Sequence, residues 1–162
     1  MEILYESPEG GKLYVGGDED YKRVDSRESW KFLRCCKEGI GGHRDLLGYH
    51  TLAAPHNANR FWVIKDETMA LNVLDLDDPF FVPDAAIQKG LKFVDSGLKD
   101  GLKVLIACNQ GKSRGPSIAL LFLHLFTNEY PERFRLAQKK FKYLYPKYDP
   151  GMGIETYIKS KW

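Results

Sequence analysis

The chain contains 162 residues, of which 43% are hydrophobic and 28% charged, and this length is enough to bury a core without support from a metal or disulfides. Its 24 basic and 22 acidic residues give a net charge of +2 at pH 7, which excludes a general attraction to nucleic acid or to anionic membranes. We therefore expect one globular domain over residues 1–162, present as a monomer.

Cysteine usage and the N-terminus indicate the compartment. Three cysteines, two of them adjacent at positions 35 and 36, do not make a disulfide framework, and a reducing environment fits them best. Residues 1–8 lack the basic flank and apolar core of a secretion signal. The longest apolar run, residues 118–126, is interrupted by a histidine and is too short to span a bilayer. We therefore expect a cytoplasmic protein.

The first part of the chain predicts a strand, a helix and a long irregular segment. Residues 12–17, Lys-Leu-Tyr-Val-Gly-Gly, are typical of a short strand. Residues 30–36 have apolar side chains at positions 30, 32, 33 and 36, a spacing that predicts a helix. Cys35 and Cys36 are accordingly expected as core or boundary residues and not as ligands. Residues 39–60 are rich in Gly, His and Asn and predict a long surface loop with a short helix.

The middle of the chain has a sharper pattern. Residues 61–64 and 69–74 predict two strands joined by a turn at residues 65–68. Residues 84–99 carry apolar side chains at helical spacing, with a proline just before them and a glycine soon after, so they predict a helix. The apolar run at residues 103–107 predicts a buried strand, against whose sheet this helix should pack.

Three further helices are predicted in the last third of the chain, at residues 116–127, 131–143 and 154–159. His124 lies among apolar residues of the first, where a histidine that packs in the core is more typical than a catalyst. Because strands alternate with helices from residue 61 onward, the predicted fold class is α/β.

The stretch from Cys108 to Arg114, Cys-Asn-Gln-Gly-Lys-Ser-Arg, joins the strand at 103–107 to the helix that follows. If a loop connects a buried strand to the N-terminus of a helix, its backbone N–H groups and the helix dipole form a cradle for an anion, which also favours the thiolate. A thiol and a guanidinium frame this loop. The sequence therefore predicts a site that holds a phosphate against a nucleophile.

A nucleotide-binding P-loop is the first alternative for the same residues. Gly111-Lys112-Ser113 matches the end of the pattern Gly-x4-Gly-Lys-(Ser/Thr), which requires a glycine at position 106. Ile106 stands there, so the glycine that lets the backbone curl around a triphosphate is missing. The nucleotide-binding interpretation therefore ranks well below that of a phosphate held against a nucleophile.

Phosphate ester hydrolysis needs a nucleophile, stabilisation of the transferred phosphoryl group and a proton for the leaving group. Cys108 as thiolate would attack phosphorus and form a cysteinyl-phosphate that water later releases, while the fork of Arg114 would bind two phosphoryl oxygens. The expected phosphate-binding residues are Asn109, Gln110, Gly111, Lys112, Ser113 and Arg114. For the proton, the candidates are Asp75, Asp77 and Asp78, and the alternative for any one of them is a solvated turn aspartate.

Residues 104–117, Val-Leu-Ile-Ala-Cys-Asn-Gln-Gly-Lys-Ser-Arg-Gly-Pro-Ser, resemble the cysteine-dependent dual-specificity phosphatases of the protein tyrosine phosphatase superfamily. The signature of that family is His-Cys-x5-Arg-(Ser/Thr) between a strand and a helix. Weaker similarity at residues 13–16, 75–99 and 145–154 extends the resemblance over most of the chain, although only the loop is specific.

The resemblance implies a central, mostly parallel or mixed sheet flanked by helices. It also implies hydrolysis of phosphotyrosine, with phosphoserine and phosphothreonine as further substrates, in phosphorylated proteins and without a metal or cofactor. In that family the acid closes a strand of the type apolar-x-Asp, and Val73-Leu74-Asp75 is similar, which favours Asp75. A count back from Cys108 favours Asp77 slightly, and Asp78 is a close rival.

Two positions depart from the family signature. Ala107 stands where the family has the histidine that supports the loop and the cysteine. Gly115 replaces the Ser or Thr whose hydroxyl helps the cysteine sulfur to leave the phosphoenzyme. The resemblance therefore implies slow release of phosphate, with Ser113 as a possible substitute for the missing hydroxyl.

Other functions stay open at this point. A phosphate-binding pseudophosphatase would keep Cys108 and Arg114 but turn over poorly. Lys112 as a second cation suits a phosphoinositide or an RNA 5′-end, although a solvent-facing lysine explains it as well. Rhodaneses and arsenate reductases also place a cysteine before an anion-binding loop, but Cys35 and Cys36 are not spaced as a resolving pair.

The irregular segment contains His43, His50 and His56, which raise the question of a metal site. No cysteine or carboxylate pattern accompanies them, so no metal is expected. Arg44 and Arg60 in the same segment either meet acidic groups that flank the substrate phosphate or serve solubility.

Overall fold

The computed structural model describes residues 1–162 and contains six strands, six α-helices and one 3-10 turn. The strands are β1 (Glu2–Glu6), β2 (Lys12–Gly16), β3 (Trp30–Arg34), β4 (Trp62–Lys65), β5 (Thr68–Leu71) and β6 (Lys103–Ala107). The helices are α1 (Asp18–Arg23), α2 (His43–Leu47), α3 (Asp84–Lys99), α4 (Arg114–Phe126), α5 (Phe134–Leu144) and α6 (Met152–Ser160), and the 3-10 turn is Pro79–Phe81. No helix is both long enough and apolar enough to cross a bilayer.

All six strands form one sheet in the order β1-β2-β6-β3-β5-β4. The four central strands β2, β6, β3 and β5 run parallel, and the two outer strands pair antiparallel to their neighbours. The predicted α/β class with a mixed sheet flanked by helices is confirmed. Because parallel strands end at the same edge, the segments that follow β6, β3 and β5 meet there, which is where open α/β sheets place their ligands.

The prediction of a helix at residues 30–36 is wrong, because this stretch forms β3 between β6 and β5. A central parallel strand is covered on both faces, so its apolar residues do not alternate and their spacing can imitate a helix. Phe32 packs on one face with Tyr21 and Leu105, whereas Leu33 belongs to the main core on the other. The expected burial of the two cysteines after this strand is confirmed.

Helix α3 has the bounds that the sequence predicts, Asp84–Lys99. Its apolar face is buried against the sheet and includes Ile87, Leu91, Val94 and Leu98. Gly90 faces β3 and β5 so closely that a Cβ there would lie 3.1 Å from the Leu71 side chain. The helix is therefore held close to the strands whose ends carry the site. Helix α4 begins at Arg114, two residues earlier than predicted, so this arginine belongs to its first turn.

The segment 39–60 is an irregular stretch with one short helix, α2, as predicted. Its histidines are not gathered at one point, and no group of three or more His, Cys, Asp or Glu side chains could hold a metal ion. His43 is buried instead, with Nδ1 3.0 Å from the Tyr49 hydroxyl and Nε2 2.7 Å from the Asn59 carbonyl oxygen. This histidine holds the two ends of the segment together.

Candidate active site

The predicted cradle lies at the carboxyl edge of the sheet. Strand β6 ends at Ala107 and α4 begins at Arg114, so residues 108–113 form the turn from a buried parallel strand into a helix, as the sequence predicts. Cys108 is buried, with 2% of its surface exposed. The helix that follows has 13 residues, and its N-terminus faces the loop with the positive end of its dipole.

Donors outside the loop bind its backbone carbonyl groups, so these carbonyls point away from the interior of the loop. Gly111 lies at φ +72°, and a Cβ there would be 2.8 Å from the carbonyl carbon of Gly16, so only glycine fits without strain. Four loop carbonyls accept a hydrogen bond from outside the loop: Cys108 from Arg34 Nη1 (3.1 Å), Asn109 from the Asp18 N–H (2.9 Å), Gly111 from the Tyr145 hydroxyl (2.7 Å) and Lys112 from the Asp149 N–H (2.8 Å).

The backbone N–H groups of residues 109–114 donate no hydrogen bond to any other group of the protein. Buried backbone donors are nearly always paired, and Gly111 and Ser113 in this run are buried, so their unpaired N–H groups are informative. With the carbonyls turned outward, these donors are available to the oxygens of a tetrahedral anion. Unpaired donors and outward carbonyls are the features that a backbone cradle for an anion requires.

Arg114 projects from the first turn of α4 into the same site. Its Nη1 donates to the Val73 carbonyl at 2.9 Å and its Nη2 donates to Asn109 Oδ1 at 2.8 Å. Its Nε is buried and has no partner. Since Nη2 carries two hydrogens and only one is used, the guanidinium can still offer two parallel N–H groups to an oxyanion.

Of the three candidate acids, Asp75 contacts the loop. The Ser113 hydroxyl donates to Asp75 Oδ1 at 3.0 Å, and the same hydroxyl accepts from the Gly151 N–H at 2.8 Å. Asp78 instead caps the 3-10 turn by accepting from the Phe80 N–H at 2.9 Å, and Asp77 is exposed. The structure therefore brings Asp75 to the loop and gives Asp78 a structural partner.

The backbone is tightly packed around Gly115, one of the two positions that depart from the family signature. A Cβ at position 115 would lie 3.0 Å from the Cys108 backbone nitrogen, so Gly115 lets α4 approach the end of β6 closely. The Ser113 hydroxyl is engaged with Asp75 and Gly151 and does not take the place of the missing hydroxyl. The phosphate loop therefore has no hydroxyl donor on the cysteine sulfur.

Lys112 is exposed and lines a shallow surface depression together with Lys147 and the acidic first turn of α1, residues 18–20. The Lys112 ammonium group makes no salt bridge with the three carboxylates of that turn, which pair with Arg34, Lys22 and the N-terminus. This surrounding favours the solvent-facing interpretation of Lys112 over that of a second phosphate ligand.

Two residues that support the loop were not predicted. Arg34 is fully buried in β3, inside the stretch predicted as a helix, and an arginine within an apolar run is the one signal that could have revealed it. The second such residue, Tyr145, follows α5. Burial, as the main cause, and the charge of Cys108, as the second, raise the pKa of Tyr145 to about 12. Its hydroxyl therefore remains a donor to the Gly111 carbonyl at physiological pH.

The three cysteines are free, and Cys35 lies closer to Cys108 than its sequence position suggests. The Cys35 N–H donates to the Ala107 carbonyl at 2.8 Å, and Cys35 and Cys108 are the first residues after the adjacent strands β3 and β6. That Cys35 and Cys36 do not act as a resolving pair for Cys108 stays a prediction. Burial raises the pKa of the Cys35 thiol well above its usual value and that of Cys36 to about 11, so both remain thiols at neutral pH.

No protein-family model matches the sequence, and no curated protein matches it. Solved structures share its architecture. The crystal structure of DUSP15 matches with a TM-score of 0.64 at 15% identity, over 98% of this chain and 85% of that chain. A human tyrosine phosphatase-like serine/threonine/tyrosine-interacting protein matches with a TM-score of 0.61 at 15% identity, over 98% of this chain and 94% of that chain.

A third similar structure is that of PTPMT1 in complex with PI(5)P, with a TM-score of 0.54 at 12% identity, over 96% of this chain and 92% of that chain. Identities at this level establish the fold alone. The chain therefore has the dual-specificity-phosphatase-like fold of the protein tyrosine phosphatase superfamily, as the resemblance of its loop implies.

Proposed function

We propose that this protein is a cysteine-dependent phosphatase that hydrolyses phosphate monoesters through a cysteinyl-phosphate. The observation that carries the proposal is the run of unpaired backbone N–H groups at residues 109–114, which surrounds Cys108 together with the unpaired Nε of Arg114. These donors match the three oxygens that carry the charge of a transferring phosphoryl group. In this proposal the thiol of Cys108 is the nucleophile.

In the first step, the Cys108 thiolate attacks phosphorus in line with the ester oxygen. The S–P bond forms as the P–O ester bond breaks, and the leaving oxygen takes a proton from the Asp75 carboxylic acid. Arg114 and the loop N–H groups bind the phosphoryl oxygens throughout. The hydrogen bond from Ser113 supports this assignment because it holds Asp75 beside the loop.

In the second step, water attacks the cysteinyl-phosphate and the sulfur leaves as thiolate. The Asp75 carboxylate takes a proton from the attacking water and is thereby restored as an acid, and inorganic phosphate is released. Because Gly115 offers no hydroxyl to the departing sulfur, this step is expected to be the slower of the two.

As substrate we propose phosphotyrosine in proteins, with phosphoserine and phosphothreonine as further candidates. The segment 39–60 and the segment around residues 80–86 line an apolar cavity of about 630 Å³, to which neither the loop at residues 108–114 nor Asp75 contributes. Of the two arginines in this segment, Arg44 pairs with Glu38 at 3.3 Å and donates to Thr51, so it stabilises the segment itself. Arg60 lines the cavity and remains the candidate for contact with acidic groups of a substrate.

We also propose that the chain acts as a monomeric, single-domain cytoplasmic protein. The three free cysteines support a reducing compartment.

The decisive experiment measures hydrolysis of an aryl phosphate by the native protein and by Cys108→Ser, each with a metal chelator present. Loss of activity in the variant and insensitivity to the chelator are expected. Activity that survives Cys108→Ser, or that requires a divalent metal, would falsify the mechanism. A panel of phosphopeptides, phosphoinositides and triphosphorylated RNA then identifies the substrate class.

A phosphate-binding protein with little turnover is the second candidate, and Ala107 and Gly115 are the observations that favour it. It predicts that the native protein and Cys108→Ser bind a phosphotyrosine peptide equally well and that neither releases phosphate. Multiple turnovers by the native protein exclude this candidate.

A further inference from the structure

The side chain of Arg34 is completely buried at the carboxyl end of β3. A charged group leaves water only where partners compensate for the lost hydration, and here each nitrogen has one. Nε donates to the Ile40 carbonyl at 3.1 Å, Nη1 donates to the Cys108 carbonyl at 3.1 Å, and Nη2 donates to Asp18 Oδ1. One guanidinium thus joins the loop after β3, the first turn of α1 and the backbone of the candidate nucleophile.

Arg34 lies beside Ala107 on the neighbouring strand. Arg34 and Ala107 are partners in the register of the parallel strands β3 and β6, so their side chains leave the same face of the sheet. The methyl group of Ala107 leaves room for the guanidinium, whose carbon lies 4.8 Å from the centre of the Tyr21 ring. The support that position 107 cannot provide to the loop therefore comes from the neighbouring strand.

The contacts of Arg34 also reach the phosphate-binding arginine. Asn109 Nδ2 lies 3.4 Å from each Asp18 carboxylate oxygen, and Asn109 Oδ1 accepts from Arg114 Nη2 at 2.8 Å. We propose that Arg34 is a positioning residue, which fixes the backbone at Cys108 and, through Asp18 and Asn109, the guanidinium of Arg114. This inference rests on the proposed function, in which Cys108 and Arg114 act on the same phosphoryl group.

If Arg34 has this role, its loss frees the Cys108 carbonyl to turn toward the cradle, where its oxygen repels both an oxyanion and the Cys108 thiolate. The test variant is Arg34→Met combined with Asp18→Asn, which removes both charges so that neither is left unpaired. Arg27→Met is the matched control. Arg27 stacks on the same Tyr21 ring at 4.3 Å and pairs with Glu67 at 2.9 Å but does not contact the loop.

Two readouts are used, neither of which needs catalytic turnover. The first is the rate of Cys108 alkylation by iodoacetamide as a function of pH, with the site of modification confirmed by mass spectrometry. The second is the concentration of inorganic phosphate that protects Cys108 from alkylation. Modification of Cys35 or Cys36 is recognised by the same mass spectrometry, and the raised pKa of both thiols keeps them protonated at neutral pH, where they react slowly.

In the double variant we expect phosphate protection to weaken at least about tenfold and the alkylation profile to move to higher pH. Arg27→Met is expected to lose thermal stability and to keep both readouts. A folded double variant with native protection and a native profile overturns the proposal.

If the double variant does not fold, Arg34→Lys is used to test the positioning role of Arg34. A lysine keeps the charge opposite Asp18, but one ammonium group cannot serve three acceptors in the fixed geometry of a guanidinium. Weaker phosphate protection in Arg34→Lys supports the proposal, and unchanged protection overturns it. If the native protein does not hydrolyse an aryl phosphate, the proposed function fails, whereas the alkylation data still judge the role of Arg34.

Discussion

Among single residues, Asp75 gives the sharpest test of the chemistry, because the hydrogen bond from Ser113 places its carboxyl group at the loop. Asp75→Asn keeps an oxygen that can accept this bond but has no proton to donate. For an alkyl phosphate, whose leaving group needs a proton, we expect kcat/KM to fall about 100-fold. For p-nitrophenyl phosphate, whose leaving group departs unaided, the loss should be small.

Asp77→Asn is the control for this substitution, since Asp77 lies two residues away and, unlike Asp75, accepts no hydrogen bond from the loop. It is expected to keep near-native activity on both substrates. If Asp77→Asn shows the larger dependence on the leaving group, the assignment of the acid moves to Asp77.

Gly115 is the residue that controls the second step in our proposal. The native protein should show a burst of product no larger than the enzyme concentration, followed by slow turnover, because no hydroxyl assists departure of the sulfur. Gly115→Ser should shorten the slow phase, at some cost in stability because its Cβ would lie 3.0 Å from the Cys108 nitrogen. The measurement is rapid-quench or stopped-flow kinetics at saturating aryl phosphate.

Gly115→Ala carries the same Cβ without the hydroxyl and separates the two effects. It should be destabilised to a similar extent, roughly 1–3 kcal/mol for an overpacked position, and should keep the slow phase. A linear progress curve from the native protein, without a burst, would show that release of phosphate does not limit turnover.

At the scale of elements, the segment 39–60 depends on His43, whose neutral ring bridges Tyr49 and Asn59. Burial lowers the pKa of His43, with the hydrogen bond to Asn59 acting in the opposite direction. The unfolded chain therefore takes up a proton at a higher pH than the folded one, so stability is lost as the pH falls below about 6.5.

Urea unfolding at about pH 7.5 and about pH 5.5 measures this effect. The native protein should lose more stability between the two values than His43→Gln does. His50→Gln, which removes an exposed histidine of the same segment, should behave as the native protein. Equal pH dependence in all three proteins would contradict a role for His43.

The elements also show what the sequence could predict. Helix α3 was predictable because one of its faces is buried and the other is solvated, so its apolar residues recur at helical spacing. Strand β3 was not, because both of its faces are covered and an arginine lies at its buried end. The spacing of apolar residues therefore predicts the type of an element that has one solvated side. It does not predict the type of an element that is buried on all sides.

At the scale of the whole molecule, the sequence predicts some residues of the candidate site and not others. Cys108, Arg114 and the cradle between them lie within one short motif, so the sequence predicts them directly. Arg34 lies 74 positions from Cys108 and Tyr145 lies 34 positions from Gly111, and only the strand order and the placement of α5 bring them to the loop. The nucleophile and phosphate ligands are thus local in sequence, whereas the groups that orient them come from the fold.

Because segments from across the sheet meet at the loop, an oxyanion bound there should stabilise the whole fold. A ligand present at about 100 times its dissociation constant stabilises a protein by about 2.7 kcal/mol, which for a chain of this length corresponds to a rise in Tm of roughly 5–10 °C. We expect this rise with inorganic phosphate or with vanadate. Arg114→Lys should lose most of it, because an ammonium group cannot bind two oxygens in the geometry of a guanidinium. The control is Arg135→Lys, which changes an arginine whose side chain is 67% exposed and should keep the full rise in Tm. A rise that persists unchanged in Arg114→Lys would place the bound anion elsewhere on the molecule.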